Sequence, residues 1–236
     1  MKSEDILARY SRQIFIDEVG LEGQRKIMAS KVLVVGAGGL GSPVIQYLAA
    51  AGVGTLGVAD FDQVELHNLN RQVIHQEQSV GKSKVSSAAE FVKKLNHHVR
   101  CIEIEEKIEP SNAEQILSGY DMVIDCSDNF STRYLINDSC VMIKKPLIYG
   151  SILGFSGQVA VFNHKGSKNL RDLFPEPPFD GDIPDCDSLG VLGTLPGIVG
   201  SMMANLALHI ITDLPVPINQ MTLINTFNWR FQSVDF

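Results

Sequence analysis

Three glycines, Gly36, Gly38 and Gly41, stand in the order G-x-G-x-x-G, with Gly39 between the last two. Residues without side chains let backbone N–H groups approach a phosphate, and a helix N-terminus behind them adds partial positive charge. Asp60 follows Gly41 by 19 residues, where a carboxylate at the next strand end accepts hydrogen bonds from ribose hydroxyls. By default this pattern serves a nicotinamide or flavin dinucleotide. The stretch after Asp60, Asp62-Gln-Val-Glu-Leu-His-Asn-Leu-Asn-Arg-Gln72, is too polar for a hydride-transfer site. Arg71, Lys84 and Arg12 are expected beside the glycine turn, and three cations suit a triphosphate better than a pyrophosphate bridge. A second acidic word, Asp125-Cys-Ser-Asp-Asn129, ends a predicted strand. Its Asp128 suits either a Mg²⁺ ligand or the N-cap of the helix that follows, and spacing alone leaves both open.

Carrying these residues requires alternating strands and helices. Apolar residues at helical spacing predict two short helices over 3–29. Lys31-Val-Leu-Val-Val35 is a buried strand, the glycines form the turn, and a small-residue helix runs on to Ala51. Further strands are expected at 55–59, 99–104, 121–125 and 146–149, with helices at 82–95 and 132–143; the alternation implies a parallel sheet. Runs at 158–162, 220–224 and 227–233 read as antiparallel additions, after an apolar helix at about 190–211. Between them residues 164–188 hold four of the ten prolines, and 171–187 hold six acidic residues against one arginine, a long acidic loop. The expected fold is α/β: a Rossmann-like, mixed and mostly parallel sheet with helices on both faces and antiparallel strands in the C-terminal half.

Composition narrows the function. The 236 residues, 44% hydrophobic and 20% charged, exclude disordered, fibrous and disulfide-stapled classes. A net charge of −7 offers no general attraction for nucleic acid or an anionic membrane. Cys101, Cys126, Cys140 and Cys186 form no CxxC pair, which fits a reducing compartment, with Cys126 and Cys140 as core residues. The charged N-terminus lacks the apolar stretch of a signal peptide, and no later run is apolar and uninterrupted over about 18 residues. A cytoplasmic location, with neither membrane nor nucleic acid as partner, is expected.

Several words occur in order: Arg9-Tyr-Ser-Arg-Gln13, Gly36-Ala-Gly-Gly-Leu-Gly-Ser42, Asp60-Phe-Asp through Asn70-Arg-Gln72, Gly81-Lys-Ser-Lys84, Asp125-Cys-Ser-Asp-Asn129, Gly157-Gln158, Leu173-Phe-Pro-Glu176 and Gly190 through Ser201. Together they resemble the ThiF/MoeB/HesA family, relatives of the ubiquitin-activating enzymes. The resemblance covers about residues 5–233. It implies ATP- and Mg²⁺-dependent adenylation of the C-terminal glycine of a ubiquitin-like sulfur carrier ending in Gly-Gly, with release of pyrophosphate. Carried over by position, it implies that Gly36, Gly38, Gly39, Gly41 and Asp60 hold phosphates and ribose, and that Arg71 and Lys84 neutralise the α-phosphate. Asp128 would hold Mg²⁺; Asp62, Asn68, Gln72 and Asn129 would line the nucleotide. Arg12 matches an arginine that reaches the neighbouring subunit's triphosphate, which implies a homodimer. The layout implied is one domain over 1–236: N-terminal helices at 3–29, a nucleotide-binding half at 31–150, and a carrier-binding half with the crossover loop at 151–236.

Two departures stand out. Family members commonly carry a structural zinc on two CxxC pairs; here the first position reads Asn169-Leu-Arg-Asp172 and the second is missing, so no zinc is expected and a looser loop is. Cys186 falls where the family places a loop cysteine able to form a covalent sulfur link with the carrier, although Asp185 and Asp187 should raise its pKa. That cysteine and the wording Asp60-Phe-Asp-Gln-Val-Glu-Leu66 lean toward the thiamine thiazole branch rather than the molybdopterin branch. Other classes are an NAD(P)-dependent oxidoreductase, supported only by the glycine turn, and a non-catalytic carrier-binding scaffold, opposed by the intact Arg12, Arg71, Lys84 and Asp128. A tRNA carboxylate acceptor is opposed by the acidic charge.

Overall fold

The computed structural model of the protein describes residues 3–178 and 190–236. In chain order the elements are α1 (Ser3–Ile14), α2 (Gly20–Ala29), β1 (Lys31–Val35), α3 (Gly41–Ala51), β2 (Thr55–Ala59), α4 (Lys84–Leu95), β3 (Arg100–Ile104), α5 (Ala113–Ser118) and β4 (Met122–Asp125). There follow α6 (Phe130–Met142), β5 (Leu147–Leu153), β6 (Ser156–Phe162), α7 (Leu170–Leu173), α8 (Thr194–Ile211), β7 (Gln220–Asn225) and β8 (Arg230–Asp235). Short 3₁₀ turns occupy Leu66–Asn68 and Glu77–Ser79.

Eight strands make one sheet in the order β3-β2-β1-β4-β5-β6-β7-β8. Pairing is parallel from β3 to β5 and antiparallel from β5 to β8, the mixed sheet that the sequence predicts. Because β1 lies between β2 and β4, the chain reverses its winding direction there, and open sheets of this kind bind ligands at the carboxyl ends of the strands flanking that point. The β-branched run of β1 is buried on both faces, as parallel strands require. Val32 and Val34 join a cluster with α3, α4 and α8, whereas Leu33 and Val35 join one with α5 and α6.

α1 and α2 dock at the C-terminal end of α3. Tyr10 is buried against Gly52, and its hydroxyl accepts from Asn96 Nδ2 at 2.9 Å. Gln24 and Asn96 donate to the carbonyls of Ala51 and Ala49, groups a helix end leaves without intrahelical partners. α8 lies across β5, β6 and α3 and brings Leu195, Val199 and Met203 into the same apolar cluster as β1 and α3. A Cβ on Gly200 would come within 2.4 Å of Pro43 Cγ and 2.6 Å of the Leu40 carbonyl, so helix meets helix there without room for a side chain.

Some expectations change. With 18 residues and a mean hydropathy of 1.4, α8 is by length and average composition apolar enough to cross a membrane, although Thr194, Ser201, Asn205 and His209 interrupt its apolar run; here its buried stripe packs on the sheet. α5 has no counterpart among the predicted helices. The start of the acidic loop is tied to α6, and its residues 179–188 lie outside the described residues. Asn169 and Asp172 cap each other across α7, with Asn169 N–H donating to Asp172 Oδ2 at 2.8 Å and Arg171 N–H to Asn169 Oδ1 at 2.9 Å. The Arg171 guanidinium grips both oxygens of Asp138 on α6 at 2.8 Å and lies over the Tyr134 ring.

Candidate functional site

The site is built where β1 and β4 end. Gly36 leaves β1 with φ +98°, and a Cβ on it would lie 2.6 Å from the Cys126 carbonyl oxygen. A Cβ on Gly41 would lie 1.9 Å from the Gly36 oxygen, so the turn closes only with glycine at both positions. At Gly38 the nearest group to such a Cβ is Gln72 Nε2 at 3.6 Å; at Gly39 it meets Pro196 of α8 at 3.3 Å and Arg71 Cγ at 3.7 Å. The N–H groups of Gly38 and Gly39 meet no acceptor among the described residues.

Asp60 braces this turn from the end of β2. Its carboxylate accepts from the Ala37 N–H at 2.7 Å and the Asp62 N–H at 2.9 Å. Burial pushes its pKa up, against the pull of Lys84, which lowers it. Lys84 opens α4 and donates from Nζ to Asp62 Oδ2 at 2.8 Å, with its side chain only 9% exposed and that of Asp62 48% exposed. The polar segment after Asp62 folds into the 3₁₀ turn at 66–68, closed by Asn68 Oδ1 accepting the Glu65 N–H at 3.0 Å. That turn presents Arg71, whose Nη1 donates to the His67 carbonyl at 3.1 Å and to Asn70 Oδ1 at 3.2 Å. Gln72 follows with its Oε1 buried and unpartnered beside Gly38. Thus Asp62, Arg71, Gln72 and Lys84 gather at the glycine turn, whereas Asn68 shapes the loop that delivers two of them.

After β4, the two readings of Asp128 separate. Asn129 is the N-cap of α6: its Oδ1 accepts from Thr132 N–H at 2.9 Å and Ser131 Oγ at 2.8 Å. The exposed carboxylate of Asp128 therefore does no capping, and Asn129, expected to line the nucleotide, is engaged in its helix. Sequence reading also passed over Asp125 and Arg133. Arg133 is buried, with Nη1 donating to the Gly150 carbonyl and Nη2 to the Ser127 carbonyl, both at 2.6 Å, and its guanidinium over the Tyr149 ring. Asp125 is fully buried, accepting from Ser127 N–H and Oγ; burial pushes its pKa up while Arg133, 4.0 Å away, pulls it down. This network fixes the segment from which Asp128 projects.

Arg12 does not reach the turn of its own chain. It is exposed on α1, whose neighbours Tyr10 and Gln13 are anchored at the C-terminal end of α3, the opposite end from the glycines and about 16 Å along an eleven-residue helix. The expectation of three cations at one turn is corrected to two from the same chain. Cys186 lies outside the described residues. Burial pushes the thiols of Cys101 and Cys140 to about 12 and that of Cys126 well above its ordinary value, which makes all three poor nucleophiles.

The family model for ThiF matches residues 10–236. The chain belongs to the ThiF family. The adenylyltransferase and sulfurtransferase MOCS3-1 of Zea mays is 45% identical over 231 residues, covering 98% of this chain and 49% of that protein. The SAMP-activating enzyme E1 of Haloferax volcanii is 50% identical over 207 residues, 88% of this chain and 76% of the relative. This ThiF-family chain spans about half the length of the MOCS3 relatives it matches. Among solved structures, E. coli MccB with MccA-N7isoASN superposes with a TM-score of 0.86 at 21% identity, over 96% of this chain and 71% of MccB. PaaA superposes at 0.84 and 23% identity, over 100% of this chain and 74% of PaaA. At that identity the likeness speaks to the fold, a mixed sheet wrapped by helices.

The ThiF-family site fits a nucleotide on its own geometry. N–H groups at Gly38 and Gly39 without an acceptor among the described residues, the orphaned Gln72 oxygen and two adjoining cations are complementary to phosphate and ribose. One exposed carboxylate, Asp128, suits a Mg²⁺ ion, which is ordinarily bound through one or two carboxylates plus substrate phosphates.

Proposed function

We propose that this chain transfers AMP from ATP to the C-terminal glycine carboxylate of a ubiquitin-like sulfur carrier, releasing pyrophosphate. The observation that carries this reading is the pair Arg71 and Lys84 set against a glycine turn with unpartnered N–H groups. A carboxylate is already a nucleophile at neutral pH, so no residue has to remove a proton. Its oxygen forms a bond to the α-phosphorus as the bond to the pyrophosphate oxygen breaks, and the electron pair leaves with pyrophosphate. Catalysis is then alignment of the two substrates and neutralisation of charge spreading over phosphate oxygens. Gly38 and Gly39 N–H groups, Arg71 and Lys84 supply that neutralisation, Asp60 orients the ribose, and Asp128 would hold Mg²⁺, which further reduces the charge repelling the incoming carboxylate.

Because Arg12 sits at the far end of α3, it serves a triphosphate only from a second copy, which makes a homodimer part of the proposal. Absence of the zinc is another part, supported by the capping box at Asn169–Asp172; one zinc per chain on metal analysis would refute it. A cytoplasmic setting follows from the sequence reading. As to the carrier, the MOCS3 relatives favour the molybdopterin branch, against the thiamine lean of the sequence words. ATP–pyrophosphate exchange with Mg²⁺ and, in parallel, thiamine and molybdopterin carriers ending in Gly-Gly tests reaction and branch together. Exchange is expected with the molybdopterin carrier. Exchange with the thiamine carrier alone reverses the branch, and tight ATP binding without exchange on either sinks the reaction in favour of a scaffold.

A further inference from the structure

Beside the glycine turn lies an imidazole with no part in the reaction just described. His75, 5% exposed, has Nε2 2.9 Å from the Ala37 carbonyl oxygen and Nδ1 2.8 Å from Ser87 Oγ. A carbonyl oxygen only accepts, so Nε2 carries the proton; in the neutral ring Nδ1 is then the acceptor for the Ser87 hydroxyl. Burial, with Lys84 nearby, lowers the pKa of His75 and keeps the ring neutral, although the bond to Ala37 works the other way. The chain of donors runs Ser87 to His75 to Ala37, and the Ala37 N–H goes on to Asp60.

The Ala37–Gly38 peptide is trans and planar, so its C=O and its N–H point in opposite directions. Holding the Ala37 oxygen toward His75 turns the Gly38 N–H away from that ring, and no acceptor among the described residues meets it. We infer that His75 is a positioning residue that aims the Gly38 N–H at the nucleotide phosphates, with Ser87 fixing the tautomer that makes this possible. The role rests on the nucleotide reading above, and it explains why the Ala37 N–H, also part of the turn, is held on Asp60 rather than left for the ligand.

Two variants separate aim from packing. Glutamine places its amide nitrogen near the Nε2 position and keeps a donor for Ala37; asparagine places it near Nδ1 and leaves the Ala37 oxygen unpaired. Calorimetric titration with a non-hydrolysable ATP analogue and Mg²⁺ is expected to give His75→Gln within about 2-fold of the native protein and His75→Asn about 10-fold weaker, one misdirected hydrogen bond to a charged group. The ring nitrogens of the native protein, read by ¹⁵N NMR, should show a protonated Nε2 and a bare Nδ1, and Ser87→Ala should weaken nucleotide binding less than His75→Asn. Native-like affinity in His75→Asn, equal losses in both variants, or a proton on Nδ1 each overturn the assignment. If the native protein binds no nucleotide, this inference falls together with the proposed function; if it binds and His75→Asn binds equally well, this inference falls alone.

Discussion

Asp128 and Asn129 are adjacent, both polar and both at the start of α6, yet they have different jobs. Asn129 closes the helix and Asp128 projects from it. Asn129→Ala should cost about 1 kcal/mol in chemical denaturation, the usual worth of an N-cap, and leave exchange activity nearly intact. Asp128→Asn should do the reverse, with unfolding unchanged and pyrophosphate exchange down about 10²–10³-fold, a typical loss when one stabilising charge is removed from a transition state. If the two variants behave alike, the division of labour is wrong. At this scale the sequence was legible where a residue's type dictates its task. Glycines that cannot carry a Cβ, and cations beside them, were found by spacing. Asp125, Arg133 and His75 were not, because their partners are the Gly150, Ser127 and Ala37 backbones and the Ser127 and Ser87 hydroxyls, and the bonds of Arg133 to Gly150 and of His75 to Ala37 and Ser87 join distant parts of the chain that no spacing rule brings together.

Elements were readable in proportion to their length and burial. The strands at the sheet centre are apolar runs buried on both faces and stand close to where the sequence puts them. α5 has six residues and α7 four, too short to display a helical period; no element is expected at 113–118, and α7 lies within the segment expected as the acidic loop. α6 starts earlier than predicted because its cap is Asn129. What sequence could not show is how α8 meets α3. Gly200 packs against the Leu40 carbonyl and Pro43 at the very start of α3, one turn from the glycines of the β1–α3 turn. Gly200→Ala should therefore lower stability by about 1–3 kcal/mol through overpacking, and also weaken ATP-analogue binding, since relief of the clash displaces the N-terminus of α3. A variant that is destabilised but binds the analogue normally would show the two effects to be independent.

For the whole molecule, the position of Arg12 makes the clearest demand. If two copies share each site, Arg12→Ala and Lys84→Ala are both inactive alone, but mixing them after gentle subunit exchange generates sites with both residues native. Under random reassortment about a quarter of the native exchange rate should return, because half of the dimers are mixed and each has one intact site. No recovery, with mixed dimers confirmed, would place Arg12 outside the neighbouring site. The overall architecture was legible because alternating strands and helices impose a parallel sheet, and β5–β6 and β7–β8 are each joined by a short connection that makes an antiparallel pair; the pairing of β6 with β7, across more than fifty residues, has no such local signal.

α8 has a final consequence. Its apolar residues fill the same cluster as β1 and α3, although they lie more than 140 residues further along the chain. The glycine turn sits in an otherwise familiar βαβ unit, the kind that is traded between proteins as a cassette. Here the cassette has no outer wall of its own. Cut out at residue 150, it would leave Gly39, Leu40 and Pro43 at the start of α3 without the helix that packs on them, and a graft of this unit onto another scaffold would have to bring α8 along.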